Sequence, residues 1–198
     1  MADDFPDKLV VSPLLSPASQ LADGAAAVDV RLGQEFIVPD PCALGCIEPL
    51  SLDEGQLAGY LRSVYVPFHL DFVLHPRQLA LGATLEYVKL PRNLCAHVVG
   101  RSRWARVGLV IAMATYVHPG YCGCLTLELQ NLGDVPLSLR PAFSIAQMVF
   151  EECYPVQSVD KGQLTCATGP EFPQLLTDEE KDILSRIQRI AEGQPEAR

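Results

Sequence analysis

Leu125-Thr126-Leu127-Glu128-Leu129-Gln130 alternates apolar and polar side chains without a break, and Asn131-Leu132-Gly133-Asp134 follows it as a turn. A period of two marks a strand with one face against a core. It puts Leu125, Leu127 and Leu129 on one face and Thr126, Glu128 and Gln130 on the other. From Leu70 onward, short apolar runs of this kind recur roughly every ten residues between turn signals. They cover 84–90, 94–99, 109–117, 135–139 and 145–150, and Pro91, Gly100 and Pro119-Gly120 close the first three. Sixteen prolines and 14 glycines suit short strands better than long helices. The pattern predicts a mainly β fold, a sandwich or a barrel.

Upstream, Asp29, Arg31, Gly33 and Glu35 interleave with Val28, Val30, Leu32 and Phe36 as a strand and turn. Residues 39–66 are loop-rich, with one short helix over 53–62. The end of the chain changes character. Thr177-Asp178-Glu179-Glu180 forms a capping box, and Ile183, Leu184, Ile187, Ile190 and Ala191 share one helical face, with Gly193 to close it. The expected organisation is a polar lead-in over 1–24, a β domain over 25–155, and a tail over 156–198 with a helix at about 177–192. That helix is expected to pack on the body or on a neighbouring subunit.

With 198 residues the chain is long enough for one substantial domain and short for two. Fifteen basic against 24 acidic residues give a net charge of −9, which disfavours extended nucleic-acid binding. No apolar run is long enough to cross a bilayer; the 109–114 run is far too short. The acidic start, Met1-Ala2-Asp3-Asp4-Phe5, lacks the pattern of a secretory leader. Seven cysteines, an odd count, are expected to be free buried thiols rather than a disulfide framework. Cys42/Cys46 and Cys122/Cys124 have no second Cys or His pair at zinc-site spacing, so no zinc is expected. These features together predict a soluble, cytoplasmic protein.

Two stretches carry chemistry. Gly100-Arg101-Ser102-Arg103-Trp104-Ala105-Arg106-Val107-Gly108-Leu109 packs three arginines and a serine into six residues of an acidic chain. Arginine forks bind phosphate oxygens bidentately, which points to a polyphosphate ligand; a solvated basic loop or subunit salt bridges would use the same residues. Glu128, in the middle of an inner strand, needs a partner or its pKa rises. Local sequence leaves both a structural salt bridge and a general base open.

Several motifs then fall in order: Ala27-Val28-Asp29-Val30-Arg31-Leu32-Gly33, Leu74-His75-Pro76, the arginine stretch, Pro119-Gly120-Tyr121-Cys122-Gly123, Leu127-Glu128-Leu129-Gln130-Asn131, and Leu139-Arg140-Pro141 through Gln147-Met148-Val149-Phe150. Over residues 25–152 this ordered set closely resembles the dCTP deaminase family of the dUTPase-like superfamily. The resemblance implies a distorted β jelly-roll (β-clip) assembled as a homotrimer, with active sites shared between subunits. It also implies hydrolysis of dCTP to dUTP and ammonia, with Mg2+ carried on the triphosphate. The catalytic glutamate falls on Glu128, the water-placing serine on Ser102, and the motif arginines on Arg101 and Arg106. Arg103, Trp104 and Ala105 fall along the same nucleotide site, Thr126 and Leu127 beside the glutamate, and Gln147 on a nucleotide-contacting glutamine. His118 and Tyr121 complete the expected substrate-binding set.

The chain departs from the family pattern at definite places. Arg103 and Trp104 replace a small polar residue and a leucine. His118 stands where an aspartate lies under the sugar, the residue that orients water in dUTPases, and Ala142 replaces a turn glycine. The family's Tyr…Lys-Tyr-x-x-Gln tail has only Tyr154, Lys161 and Gln163 to answer it. Neither H-x-E nor P-C-x-x-C of the zinc deaminases occurs, so the consistent deaminase chemistry uses a carboxylate without a metal. A non-catalytic regulatory nucleotide-binding trimer and a dUTPase-type pyrophosphatase remain as alternatives.

Overall fold

The structure, a computed structural model, describes residues 7–21, 27–40, 45–50, 54–112, 116–156, 166–173 and 175–191. In chain order the elements are β1 (Val10–Ser12), α1 (Pro17–Gln20), β2 (Ala27–Arg31), β3 (Glu35–Pro39), α2 (Glu54–Tyr60) and β4 (Leu61–Tyr65). Then come β5 (Phe72–Leu74), β6 (Leu79–Lys89), β7 (Leu94–Gly100), α3 (Ser102–Ala105), β8 (Leu109–Ile111) and β9 (Tyr116–Val117). Last are β10 (Cys122–Asn131), β11 (Leu137–Leu139), β12 (Ser144–Glu152) and α4 (Asp178–Ala191). The chain divides into two compact units, Met1–Pro39 with Ser63–Glu171 and Asp40–Arg62 with Phe172–Arg198. Residues 40–62 thus group with the C-terminal segment rather than with the stretch 25–155 that surrounds them in sequence.

The first unit is built from antiparallel sheets. One runs β4-β3-β6-β10-β8, with β1 also pairing β6; a second runs β2-β12-β7-β9; β11 and β5 form a two-stranded ribbon. Strand alternation is expressed as read from the sequence. Leu125, Leu127 and Leu129 are buried, while Thr126, Glu128 and Gln130 lie half-exposed on the opposite face. Val30, Leu32, Phe36, Leu74, Leu139, Ile145 and Met148 join Leu127 and Leu129 in the core, where Phe36 and Phe72 stack 4.2 Å apart. The expected polar lead-in contributes to this body: β1 pairs with β6, and α1 delivers Gln20 to a buried position.

One irregularity organises the centre of the larger sheet. The β6–β10 ladder shifts between Cys124↔Tyr87 and Thr126↔Ala83, so three β6 residues, 84–86, stand opposite the single residue Leu125. Thr84 spans the gap, its hydroxyl donating to the Glu86 carbonyl (2.7 Å) and accepting the Leu125 N–H (2.9 Å). The buried Glu86 carboxylate accepts the Arg31 N–H (2.7 Å), the Arg31 guanidinium (3.2 Å) and the Gln20 amide (3.0 Å). A bulge next to a functional strand is a common device for aiming side chains.

Arg140-Pro141-Ala142-Phe143 forms a turn closed by Phe143 N–H to the Arg140 carbonyl (3.1 Å), with Ala142 at φ 71°. Proline followed by a positive φ is the type II pattern, which favours glycine at the second central position. The left-handed conformation costs alanine about 1–2 kcal/mol, against about 0.4–1 kcal/mol of extra unfolded-state entropy for glycine. Ala142→Gly is therefore expected to stabilise the protein by about 0.5–1 kcal/mol, read as a rise in Tm of a few degrees; a fall in Tm would contradict the strain at this turn.

The second unit holds α2 and α4. The Asp40 N–H donates to the Tyr60 carbonyl (2.7 Å) and closes the segment that contains α2. The capping box of α4 forms as read: the Thr177 N–H donates to the Glu180 carboxylate (2.8 Å), and the Glu180 N–H donates to the Thr177 hydroxyl (3.2 Å). Ile183, Leu184, Ile187 and Ile190 are exposed in the single chain. Gly193 lies outside the described residues.

Candidate active site

Glu128 stands on the outer face of β10, directly opposite Leu81 of β6, with Thr126↔Ala83 and Gln130↔Leu79 as neighbouring pairs. The Glu128 carbonyl accepts the Ala112 N–H (2.7 Å) just beyond β8. Burial pushes the pKa of the Glu128 carboxylate above the usual 4.5, with only its own backbone N–H acting against the shift. No ion pair with a lysine or arginine forms at Glu128 among the described residues. A partly desolvated carboxylate without a cationic partner is suited to picking up a proton and giving it back.

The arginine-rich motif forms a turn of helix, α3, at the end of β7. Ser102 opens it and Arg106 caps it, the Arg106 N–H donating to the Ser102 carbonyl and the Val107 N–H to the Trp104 carbonyl; the Ser102 and Arg106 side chains are exposed. Arg106 makes no ion pair among the described residues. Ala105 is exposed beside it.

Arg101 is committed differently. It pairs with Asp29, whose carboxylate also accepts the Gln147 amide (2.8 Å) and the Ser144 hydroxyl (3.1 Å). The register Gln147↔Asp29 across β12 and β2 produces this grouping, so two residues of the expected substrate-binding set are brought together. Asp29, part of the first motif, was not among the expected site residues; its only sequence signal is an acid between two buried valines.

Other positions carry structural work in the single chain. Arg103 (2.7 Å) and the Trp104 indole (2.9 Å) both donate to the Ser144 carbonyl. Trp104 is half-buried, stacks on Phe143 at 5.6 Å and packs against the core. Leu127 is 1% exposed, its side chain in the core on the face opposite Glu128, so what it offers a ligand on that face is its backbone. The Tyr121 hydroxyl donates to the Cys124 carbonyl (2.8 Å), and burial raises its pKa. His118 is exposed at the end of β9, edge-on to Tyr116 at 4.7 Å, and Tyr116 in turn faces His97 at 5.3 Å.

The described cysteines are free, but not uniformly buried: Cys46 and Cys166 are exposed, Cys95 and Cys124 buried, Cys122 and Cys153 intermediate. Cys42 lies outside the described residues. Among the described residues no group of three or more His, Cys, Asp or Glu could hold a metal ion, and no helix is long and apolar enough to cross a membrane. Of the expected tail element, Tyr154 is 94% exposed; Lys161 and Gln163 lie outside the described residues.

Antiparallel sheets thus carry Glu128 on the outer face of one strand and the Ser/Arg turn at the end of another. The chain superposes on the 2'-deoxycytidine 5'-triphosphate deaminase from Agrobacterium tumefaciens with a TM-score of 0.54 and 21% identity, covering 73% of this chain and 42% of that one. A family model described as dCTP deaminase-like matches residues 7–153, a span that contains every candidate site residue. The dCTP deaminase of Natronomonas pharaonis is 38% identical over 178 residues, 87% of this chain and 89% of its own. That of Haloarcula marismortui is 42% identical over 73% and 72% of the two chains. A relative named dCTP deaminase, dUMP-forming, from Methanobrevibacter smithii is 41% identical over the same shares. The chain belongs to the dCTP deaminase-like family.

Proposed function

We propose that this chain hydrolyses the amino group of dCTP, releasing dUTP and ammonia, with Glu128 as the group that moves the proton. The observation that carries the reading is the partly desolvated Glu128 carboxylate on the outer face of β10, in a member of the dCTP deaminase-like family. Ionised Glu128 takes a proton from the water that attacks C4 of cytosine. The same group, now protonated, gives that proton to the exocyclic nitrogen as the C4–N bond breaks. One carboxylate thereby serves as base and then as acid.

Arg106 and Ser102 act on the nucleotide and its water, Arg101 and Gln147 contact the nucleotide, and Arg103 lies toward the triphosphate. Magnesium enters with the substrate as Mg·dCTP, and no step is assigned to it. The working form is a homotrimer in the cytoplasm, with each site shared between chains. In support, Ser102 and Arg106 are exposed in the single chain, open to a neighbouring one.

Relatives named dUMP-forming favour a second reading, in which pyrophosphate release follows deamination. His118, in place of the water-orienting aspartate, weighs against it. The deciding experiment incubates the protein with Mg·dCTP, and in parallel with CTP, dCMP and dUTP, and separates the products. Equal amounts of dUTP and ammonia from dCTP, with dUTP itself left intact, are expected. Appearance of dUMP would establish the second reading, and no product from dCTP would overturn both.

A further inference from the structure

Outside the residues assigned to deamination, the start of β10 carries a second group of reactive side chains. The Cys166 and Cys122 sulfurs lie 3.4 Å apart, and the Tyr87 hydroxyl is 2.8 Å from the Cys122 sulfur. Cys166 is exposed and Cys122 half-exposed, so a small solute can reach the pair. Cys166 has φ 51°, a conformation that non-glycine residues rarely adopt. Two residues of unrelated sequence position, 44 apart, have been brought to sulfur contact on backbones already hydrogen-bonded to each other.

Those backbone bonds define a strap. The Cys166 N–H donates to the Cys122 carbonyl (3.0 Å), and the Cys124 N–H donates to the Ala167 carbonyl (2.7 Å). Further along, the Glu171 N–H donates to the Thr126 hydroxyl (3.1 Å). The strap thus takes the edge of β10 that β8 covers only at 129–131. It ends beside Thr126, which shares a face with Glu128. Gly123 belongs to the same arrangement: a Cβ there would stand 3.2 Å from the Ala167 backbone.

We propose that Cys122 and Cys166 form a reversible disulfide latch, a modification site that fixes the 166–171 strap to β10 and so couples thiol oxidation to the deaminase face. The oxidant is a low-molecular-weight disulfide. The Cys166 thiolate attacks one of its sulfurs, forming a mixed disulfide and expelling one small thiolate. The Cys122 thiolate then attacks the Cys166 sulfur, forming the protein disulfide and expelling the second. Two protein thiols are oxidised, one small disulfide is reduced to two thiols, and the two cysteine protons end on those leaving groups. Closing 3.4 Å to the ~2.05 Å of a disulfide takes side-chain rotation, because the backbones are already joined. Cytosolic disulfides are usually of this transient kind. The exposed Cys166 is the entry point; Cys95, the partner of Cys153 in the other close thiol pair, is buried.

The test uses the full chain, reduced and then treated with oxidised glutathione. Peptide mapping is expected to show a Cys122–Cys166 link that dithiothreitol reverses, present in Cys153→Ser and absent in Cys166→Ser. A map dominated by Cys95–Cys153 or by intermolecular links would overturn the latch. Hydrogen exchange at the Cys124 amide is expected to slow at least about tenfold on oxidation of the wild type, with no change in Cys166→Ser. Equal exchange in both states would show that the link does not hold the strap.

The coupling to the site rests on the reading of Glu128 above and has its own readout. A nucleotide approaching the Thr126–Glu128 face meets a strap that can no longer withdraw, so KM for dCTP is expected to rise several-fold on oxidation and recover on reduction. An unchanged KM in protein mapped as fully linked would overturn the coupling. Mapping and exchange need no substrate, so failure of the deaminase reading is distinguishable from failure of the latch.

Discussion

Glu128→Gln is expected to lower the rate of ammonia release from dCTP by about 10²–10⁴-fold while leaving nucleotide affinity nearly unchanged. Glutamine keeps the shape of the side chain on β10 but can neither take the proton from water nor return it to the departing amine. Single-turnover rates and equilibrium binding of dCTP separate the two quantities; retention of wild-type turnover would remove Glu128 from the proposed mechanism. The electrostatics predict a companion effect on stability. Burial raises the Glu128 pKa above 4.5, so the folded state holds the proton over a pH window where the unfolded state has lost it. Stability from this group is then present below that window and declines as pH rises through it. Glu128→Gln removes the penalty, so its Tm should match or exceed wild type near neutrality, and the difference should fade on acidification. Since the base must be ionised to work, the acid limb of the wild-type kcat/KM profile is expected above the ordinary glutamate range.

The largest expected loss of stability belongs to Glu86, which takes no part in the chemistry. Glu86→Ala strips the acceptor from the Arg31 N–H, the Arg31 guanidinium and the Gln20 amide in a fully buried place. Removing one partner of a buried ion pair costs about 3–5 kcal/mol, chiefly because the other groups are left without partners. For a chain of this size that is a fall in Tm of roughly 10 °C. Glu86→Gln retains a carbonyl acceptor without the charge and is expected to lose less. Thermal melts of the two variants rank them; equal, small losses would mean that the unpaired groups find water or new partners.

The strands were legible in the sequence because one face of each is buried, and alternation records that directly. Leu125–Gln130 is the clearest case. The capping box of α4 was equally readable, since both of its bonds lie within four residues. What stayed hidden depends on contacts between distant segments. The 84–90 run reads as one strand, yet three of its residues face a single partner, an arrangement set by Leu125 some forty residues later. Glu86 and Asp29 are ordinary acids in an alternating pattern until β2, β12 and α1 bring their partners to them. Trp104 illustrates the same limit: its ring turns onto Phe143, and nothing local could foretell that.

The excess of β6 over β10 also has a parity. Two surplus residues return the strand to the same facing it had before, so Leu79 and Leu81 keep their side and Glu128 keeps its neighbours. One surplus residue would turn every side chain on the near half of β6 over, driving leucines out of place and presenting the alternate set to Glu128. Length changes between Thr84 and Glu86 in even steps keep that facing, whereas an odd step keeps it only where an ordinary two-for-one bulge absorbs the odd residue. Without such a bulge, a single-residue deletion there would rearrange the candidate face while leaving each of its residues present.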